Sequence, residues 1–182
     1  MRELKYHEKK LLKKVDFLNW KKDDNIRETK LMRRYYITKR EDLKKYNRIC
    51  GQIKRIVSKL MLLKPTDEYR IKKTQDLLTR LYNIGLIKSK NSLKDVDEVG
   101  TSRFCRRRFA VVLFRNKYCE SIKQAVTYIE QGQLQIGTDV VYNPAMMITR
   151  NMEDHISWVN TSKIKKKIDT YNDTVDDYDM LN

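Results

Sequence analysis

The sequence predicts an α+β protein in which a helical N-terminal region leads into a small module of two helices and a short antiparallel sheet. Apolar stripes with three-and-four spacing fill the first half, and polar–apolar alternation punctuated by Gly begins only after Gly132. Only five Gly and two Pro occur in 182 residues, of which 35% are charged, so solvated helices around one modest core are expected rather than two large domains.

Over residues 1–20, Leu4, Leu11, Val15 and Leu18 fall near one face of a helix, with Lys9, Lys10, Lys13 and Lys14 around the others. Residues 1–37 are therefore expected to form a basic arm, either solvated or docked apolar side inward with its lysines on phosphate. Thr38-Lys39-Arg40-Glu41 has the form of a capping box, which predicts a helix start at Thr38. Leu43, Tyr46, Cys50, Ile53, Val57 and Leu60 then gather into one stripe until Lys64-Pro65 stops the run. Thr66 or Asp67 is expected to cap a second helix with Leu77, Leu78, Leu81 and Ile84 inward and Gly85 as its left-handed end. So short a turn makes the pair antiparallel, giving a helical region over residues 38–87. The pattern dissolves among Lys, Ser, Asn and Asp over residues 88–101, which predicts a connector.

Residues 102–160 carry the expected module. Ser102 is read as the cap of a helix bearing Arg103, Arg106, Arg107, Arg108, Arg115 and Lys117 around a buried stripe of Phe109, Val112 and Leu113. Ser121-Ile122-Lys123-Gln124 is a second capping box, opening a helix of Ile122, Ala125, Val126 and Ile129 that Gly132 closes. Residues 133–136, a turn at Gly137-Thr138-Asp139 and residues 140–142 predict a hairpin ahead of Asn143-Pro144. Residues 155–159 alternate again and predict a third strand. Residues 161–182 form a C-terminal extension with an acidic tail, since no Lys or Arg follows Lys167 while Asp169, Asp173, Asp176, Asp177 and Asp179 crowd the end.

Forty Lys and Arg against 24 Asp and Glu give a formal charge of +16, a field that attracts polyanions by releasing their counterions. Nucleic acid is the expected partner. No apolar run approaches the roughly 18 residues that span a bilayer, so a membrane is not. Cys50, Cys105 and Cys119 are odd in number, widely spaced and without a CxxC pair, which predicts free thiols. With His7 and His155 the only histidines, no metal site is expected. No phosphate loop and no nucleophile–base set occurs, so neither an enzyme, a cofactor nor a small-molecule substrate is expected.

The expected phosphate contacts are Arg106, Arg107, Arg108, Arg115, Lys117 and Lys123, joined by Lys9, Lys10, Lys13 and Lys14 of the arm. Arginine suits phosphate because its planar fork binds two oxygens at once, whereas lysine acts as a point charge. Ser121, Gln124, Tyr128 and Gln133 are the expected polar and stacking contacts to ribose and bases. Ser121 has a competing role as a helix cap, and Tyr128 as a residue rimming the core. Phe109 and Trp158 are read as core.

Arg106-Arg107-Arg108, Ser121, Ala125, Gly132, Gly137 and Pro144 stand in the places that mark the RNA-binding domain of the ribosomal protein S-four family, which the stretch from Cys105 to Val159 resembles. That resemblance implies an S-four-like fold of the alpha-L type. Two departures stand out: Ile136-Gly137-Thr138 replaces the family's usual Val-Asn-Gly turn, and Lys123 or Gln124 stands where an arginine is usual. Residues 6–18, Lys45-Tyr46-Asn47-Arg48-Ile49-Cys50-Gly51 and Arg150-Asn151-Met152-Glu153-Asp154 extend the likeness over nearly the whole chain. They resemble the Imp-three family of U-three small nucleolar ribonucleoprotein proteins. What this resemblance implies is a nucleolar role in early small-subunit assembly, with U-three small nucleolar RNA, pre-ribosomal RNA, the scaffold protein Mpp-ten and other small-subunit processome proteins as partners. A ribosomal protein retained in mature subunits, or a protein-interaction adaptor using residues 38–85 and the acidic tail, are the alternatives.

Overall fold

The computed structural model describes residues 2–14 and 22–172. Val15, Leu18 and the tail aspartates Asp173, Asp176, Asp177 and Asp179 lie outside the described residues. In chain order the elements are α1 (Tyr6–Lys14), α2 (Lys22–Arg34), α3 (Arg40–Leu62), α4 (Glu68–Ile84), α5 (Leu93–Asp97), α6 (Thr101–Cys105), α7 (Phe109–Arg115), α8 (Ile122–Glu130), β1 (Leu134–Ile136), β2 (Asp139–Val140), α9 (Arg150–Glu153), β3 (Ile156–Trp158) and α10 (Lys163–Tyr171). The architecture is α+β, with a helical first part and a small sheet-bearing second part.

All six residues of the stripe expected on α3 are buried. The helix begins two residues later than Thr38, at a Lys39 cap whose side chain makes no capping bond. Glu41 and Asp42 fill its first turn and complement the positive end of the dipole instead. At α4 the Asp67 carboxylate accepts from the Tyr69 N–H, and Gly85 takes φ 84 at the other end. Leu78 and Leu81 are buried, while Leu77 and Ile84 are half-buried against the same core. That core also takes in Tyr35, Ile37, Leu86, Ile87, Phe104 and Cys105.

The stretch expected as a connector holds α5, whose Val96 packs with Val99 in this core. Leu93, Val96 and Val99, three apolar residues amid Lys, Asp and Glu, are too short a run to set up a readable period.

The single basic helix expected from Ser102 is two helices, α6 and α7, parted at residues 106–108. Gly100, not Ser102, precedes α6, and the Ser102 hydroxyl meets the Tyr35 hydroxyl at 2.8 Å. The break has a cause in pairing: the Phe109 N–H donates to the Met146 carbonyl and the Ile148 N–H to the Arg107 carbonyl, both at 2.9 Å. Arg108 turns extended, with φ −65 and ψ 143, to make this bridge.

Ser121 caps α8 by accepting from the Gln124 N–H, but only half of the capping box forms, because the Gln124 amide donates to the Tyr128 hydroxyl at 2.9 Å. The hairpin turns on Gly137-Thr138 alone, with Ile136 paired to Asp139 and Gly137 at φ 63. β3 pairs antiparallel with the other edge of β1, giving the order β2-β1-β3. The sheet, α7 and α8 enclose a second core built on Phe109, Val112, Leu113, Ala125, Ile129, Leu134, Ile148 and Ile156. Trp158 and Tyr128 rim it, edge to face at 5.7 Å. The C-terminal extension opens with α10, whose cap Ser162 accepts from the Ile164 N–H.

The three cysteines are free thiols, and burial pushes the Cys105 thiol up to about 11. Among the described residues no helix is long and apolar enough to cross a membrane, and no group of three metal-binding side chains occurs.

Candidate nucleic-acid interface

A guanidinium has five donors and no acceptor, so a buried one must be surrounded by oxygen. Arg107 and Arg108, each only 4% exposed, satisfy that demand inside the protein. Arg107 donates through Nε and Nη2 to the Ile148 carbonyl at 2.9 and 2.6 Å and through Nη1 to Glu153 at 2.8 Å. Its guanidinium also lies under Gly85, where an added Cβ would meet Cζ at 2.9 Å. Arg108 donates to the Asp42 carboxylate at 3.1 Å and to the Tyr46 hydroxyl at 3.2 Å, reaching back to α3. Both guanidinium groups are thus engaged inside the protein: Arg107 bonds residues 148 and 153 of the second part while packing under Gly85 of the first, and Arg108 bonds back to Asp42 and Tyr46 of the first.

Arg150 makes a third tie. It donates to the carbonyls of Tyr82 at 2.8 Å and Ile87 at 2.9 Å and lies 4.1 Å from the Tyr82 ring centroid. Tyr82 belongs to the last turn of α4, where the negative end of the helix dipole favours a cation, and its carbonyl also accepts from the Gly85 N–H.

Where the two parts meet, a cleft of about 610 Å³ opens between residues 85–88 on one side and Arg103, Arg106, Arg107, Arg115, Arg150 and Glu153 on the other. Six cations, counting Lys88, face it against one carboxylate. Burial pushes the Glu153 carboxyl up, but hydrogen bonds from Arg107 and Arg115 outweigh it and hold the group below its ordinary value. Glu153 is thus an anion at neutral pH, and it offsets one of the six positive charges that line the cleft. Burial likewise opposes ionisation of Tyr35, yet its bonds with Ser102 and Arg106 leave its hydroxyl below the ordinary tyrosine value. Arg106 makes only a long bond of 3.4 Å to that hydroxyl, and Arg103 a bond of 3.2 Å to the Leu86 carbonyl with Glu98 at 3.8 Å. Arg115 pairs with Glu153 yet is 54% exposed. Arg103, Arg106, Arg115 and Lys88 are thus the cleft cations best placed to meet an incoming phosphate.

The structure sorts the remaining sequence candidates. Lys117 projects from the turn after α7 with φ 62 and is exposed, as is Lys123 on α8. Ser121 is the α8 cap, and Gln124 and Tyr128 bond each other beside Trp158. The Gln133 side-chain oxygen accepts from the buried Ser162 hydroxyl at 2.5 Å, which occupies it at the junction of β1 and α10. Lys9, Lys10, Lys13 and Lys14 lie exposed on α1, a helix with no buried residue.

Lys88, Arg103 and Arg150 escaped selection from the sequence. Arg103 and Arg150 stood in segments singled out as basic or as carrying a family resemblance, but only folding brings residue 150 beside residue 88. Lys88 carried no signal beyond its charge.

A family profile for the ribosomal protein S4/S9 N-terminal domain matches residues 3–106, which takes in α1 through α6. The chain is 49% identical over 181 residues to the U3 small nucleolar ribonucleoprotein protein IMP3 of Saccharomyces cerevisiae, covering 99% of each chain. It is 41% identical over 181 residues to the protein of the same name from Homo sapiens, covering 99% of this chain and 98% of that one. Small ribosomal subunit protein uS4 of Methanocella arvoryzae is 25% identical over 155 residues, covering 81% of this chain and 75% of the relative.

Proposed function

The chain belongs to the family of the U3 small nucleolar ribonucleoprotein protein IMP3, and on that premise we propose that it is a non-catalytic RNA-binding assembly factor of the small-subunit processome. Its RNA partners are U3 small nucleolar RNA and pre-ribosomal RNA, its protein partners Mpp-ten and other processome proteins, and its seat the nucleus and nucleolus. The single observation that carries the RNA reading is the cleft, where six cations face one carboxylate. Arg103, Arg106, Arg115 and Lys88 hold phosphates there, while Lys117, Lys123 and the α1 lysines extend the contact along the backbone.

No catalytic group is needed to help two RNAs pair. Each strand repels the other, and a fixed array of cations that neutralises both backbones lowers the barrier to their meeting. The ties made by Arg107, Arg108 and Arg150 matter because they hold the array rigid, so that little ordering is left to occur on binding.

Identity of 49% to the small nucleolar ribonucleoprotein relative, against 25% to the ribosomal one, favours an assembly factor over a retained ribosomal protein. The test is fluorescence anisotropy of a U3 small nucleolar RNA fragment between 50 and 200 mM salt. Replacing Lys88, Arg103 and Arg106 together by Gln should flatten the slope of log K against log salt by roughly 2–3. An unchanged slope in a folded triple variant refutes the cleft as the phosphate site.

A further inference from the structure

We propose that the outer face of the α3–α4 pair is a docking groove for an acidic amphipathic helix of another protein. The inference stands apart from the RNA reading, since none of its residues lines the cationic cleft.

α3 carries two apolar seams. The inner one, Leu43 to Leu60, is buried in the protein's own core. A second runs through Ile49, Ile53, Ile56 and Leu60, with spacings of four, three and four, the pattern by which one helix receives another, and the extended cap residue Leu63 follows it. Ile53 and Leu60 are shared with the core, but Ile49, Ile56 and Leu63 stand 40%, 47% and 36% exposed. Ile56 and Leu60 form, with Tyr69 and Leu77 of α4, the apolar part of a groove whose remaining lining is Lys73, Asp76 and Arg80. The patch reaches the last residue of α3, Leu62, which is 86% exposed. Isolated exposed apolar residues need no explanation, but a seam of this regularity beside a groove does.

Charge selects the occupant. Lys45 and Lys59 stand four residues before Ile49 and Leu63 along one side of the seam, Lys73 and Arg80 form the other wall, and all four are exposed. Asp76 is the one carboxylate lining the groove. A helix bearing Leu-type anchors at i, i+3 or i+4 and i+7, flanked by Glu or Asp, meets apolar floor and basic walls together. This chain's own α1 and a second copy of the groove are both basic and repel it. RNA gains nothing from the Ile and Leu floor.

The test uses full-length protein and two synthetic helical peptides with one shared Leu stripe, flanked by Glu in one and by Lys in the other. Anisotropy should show the Glu-flanked peptide binding at least about tenfold tighter. Ile56→Asn and, separately, Lys73→Glu with Arg80→Glu should each remove that binding while leaving affinity for the U3 small nucleolar RNA fragment unchanged. Leu63→Ser serves as the second apolar variant should Ile56→Asn fail to fold. Equal binding of both peptides, binding of neither, or binding that survives in the folded variants overturns the proposal. Self-association of the protein that the same variants abolish also overturns it, by assigning the groove to a second copy.

Discussion

Replacing Arg107 by Met should unfold the protein more easily without weakening its grip on RNA beyond what instability explains. The guanidinium is buried, gives two bonds to the Ile148 carbonyl and one to Glu153, and lies under Gly85. Methionine keeps much of the volume but leaves that carbonyl without those donors and Glu153 with Arg115 alone. Breaking a buried pair by removing one partner costs about 3–5 kcal/mol. Glu153 is 19% exposed and retains Arg115, so water and the second guanidinium recover part of this, and the expected loss is about 3 kcal/mol. For a chain of this length that lowers Tm by roughly 6–12 °C. Calorimetry of Arg107→Met beside Arg106→Met reads the contrast, because exposed Arg106 should move stability by no more than about 0.5 kcal/mol. An unchanged Tm for Arg107→Met, joined to a tenfold or greater loss of RNA affinity, would restore Arg107 as a phosphate contact and refute the tie.

Glu153 is held below the ordinary carboxyl value of 4.5 in the folded protein, so the stability it adds is present above that value and drains away as pH falls through the lower folded value. Glu153→Gln should therefore lower stability at neutral pH and flatten the acid limb of a Tm–pH curve, and an acid limb as steep as in the parent would contradict the pairing. Gly85→Ala combines a left-handed backbone with a Cβ placed 2.9 Å from Arg107 Cζ, and should cost at least about 1–2 kcal/mol in denaturant unfolding. Gly51→Ala, in mid-helix with nothing near its Cβ, should instead stabilise by about 0.5–1 kcal/mol. Cys105, with its thiol raised to about 11 by burial, should resist alkylation at pH 8 until the protein unfolds, as mass mapping of the modified thiols would reveal.

Much was legible before folding because it follows from local rules. The α3 stripe, the Asp67 cap, the left-handed Gly85, the Ser121 cap and the first and third strands each depend on residues a turn or two apart and stand where their patterns placed them, while β2 takes Asp139 from the expected turn and ends at Val140, short of Tyr142. Charge likewise identified the class of partner, since a field of +16 is a property of composition. Short elements escaped: α5 and α9 span five and four residues, less than two turns, and carry too few apolar positions to show a period.

The fate of each arginine was a different matter. Arg106, Arg107 and Arg108 are chemically alike and adjacent, and on one helix they would have fanned over about 200° of its circumference. The bridge to residues 146–148 breaks that helix and aims the three side chains at the cleft, at Glu153 and at Asp42. Whether a guanidinium is free for phosphate depends on which oxygens lie around it, and for these three they come from residues 41 to 71 positions away. Sequence determined that this chain is a basic, two-part RNA binder; only the packing of its parts decided which of its cations hold the protein together and which remain to hold something else.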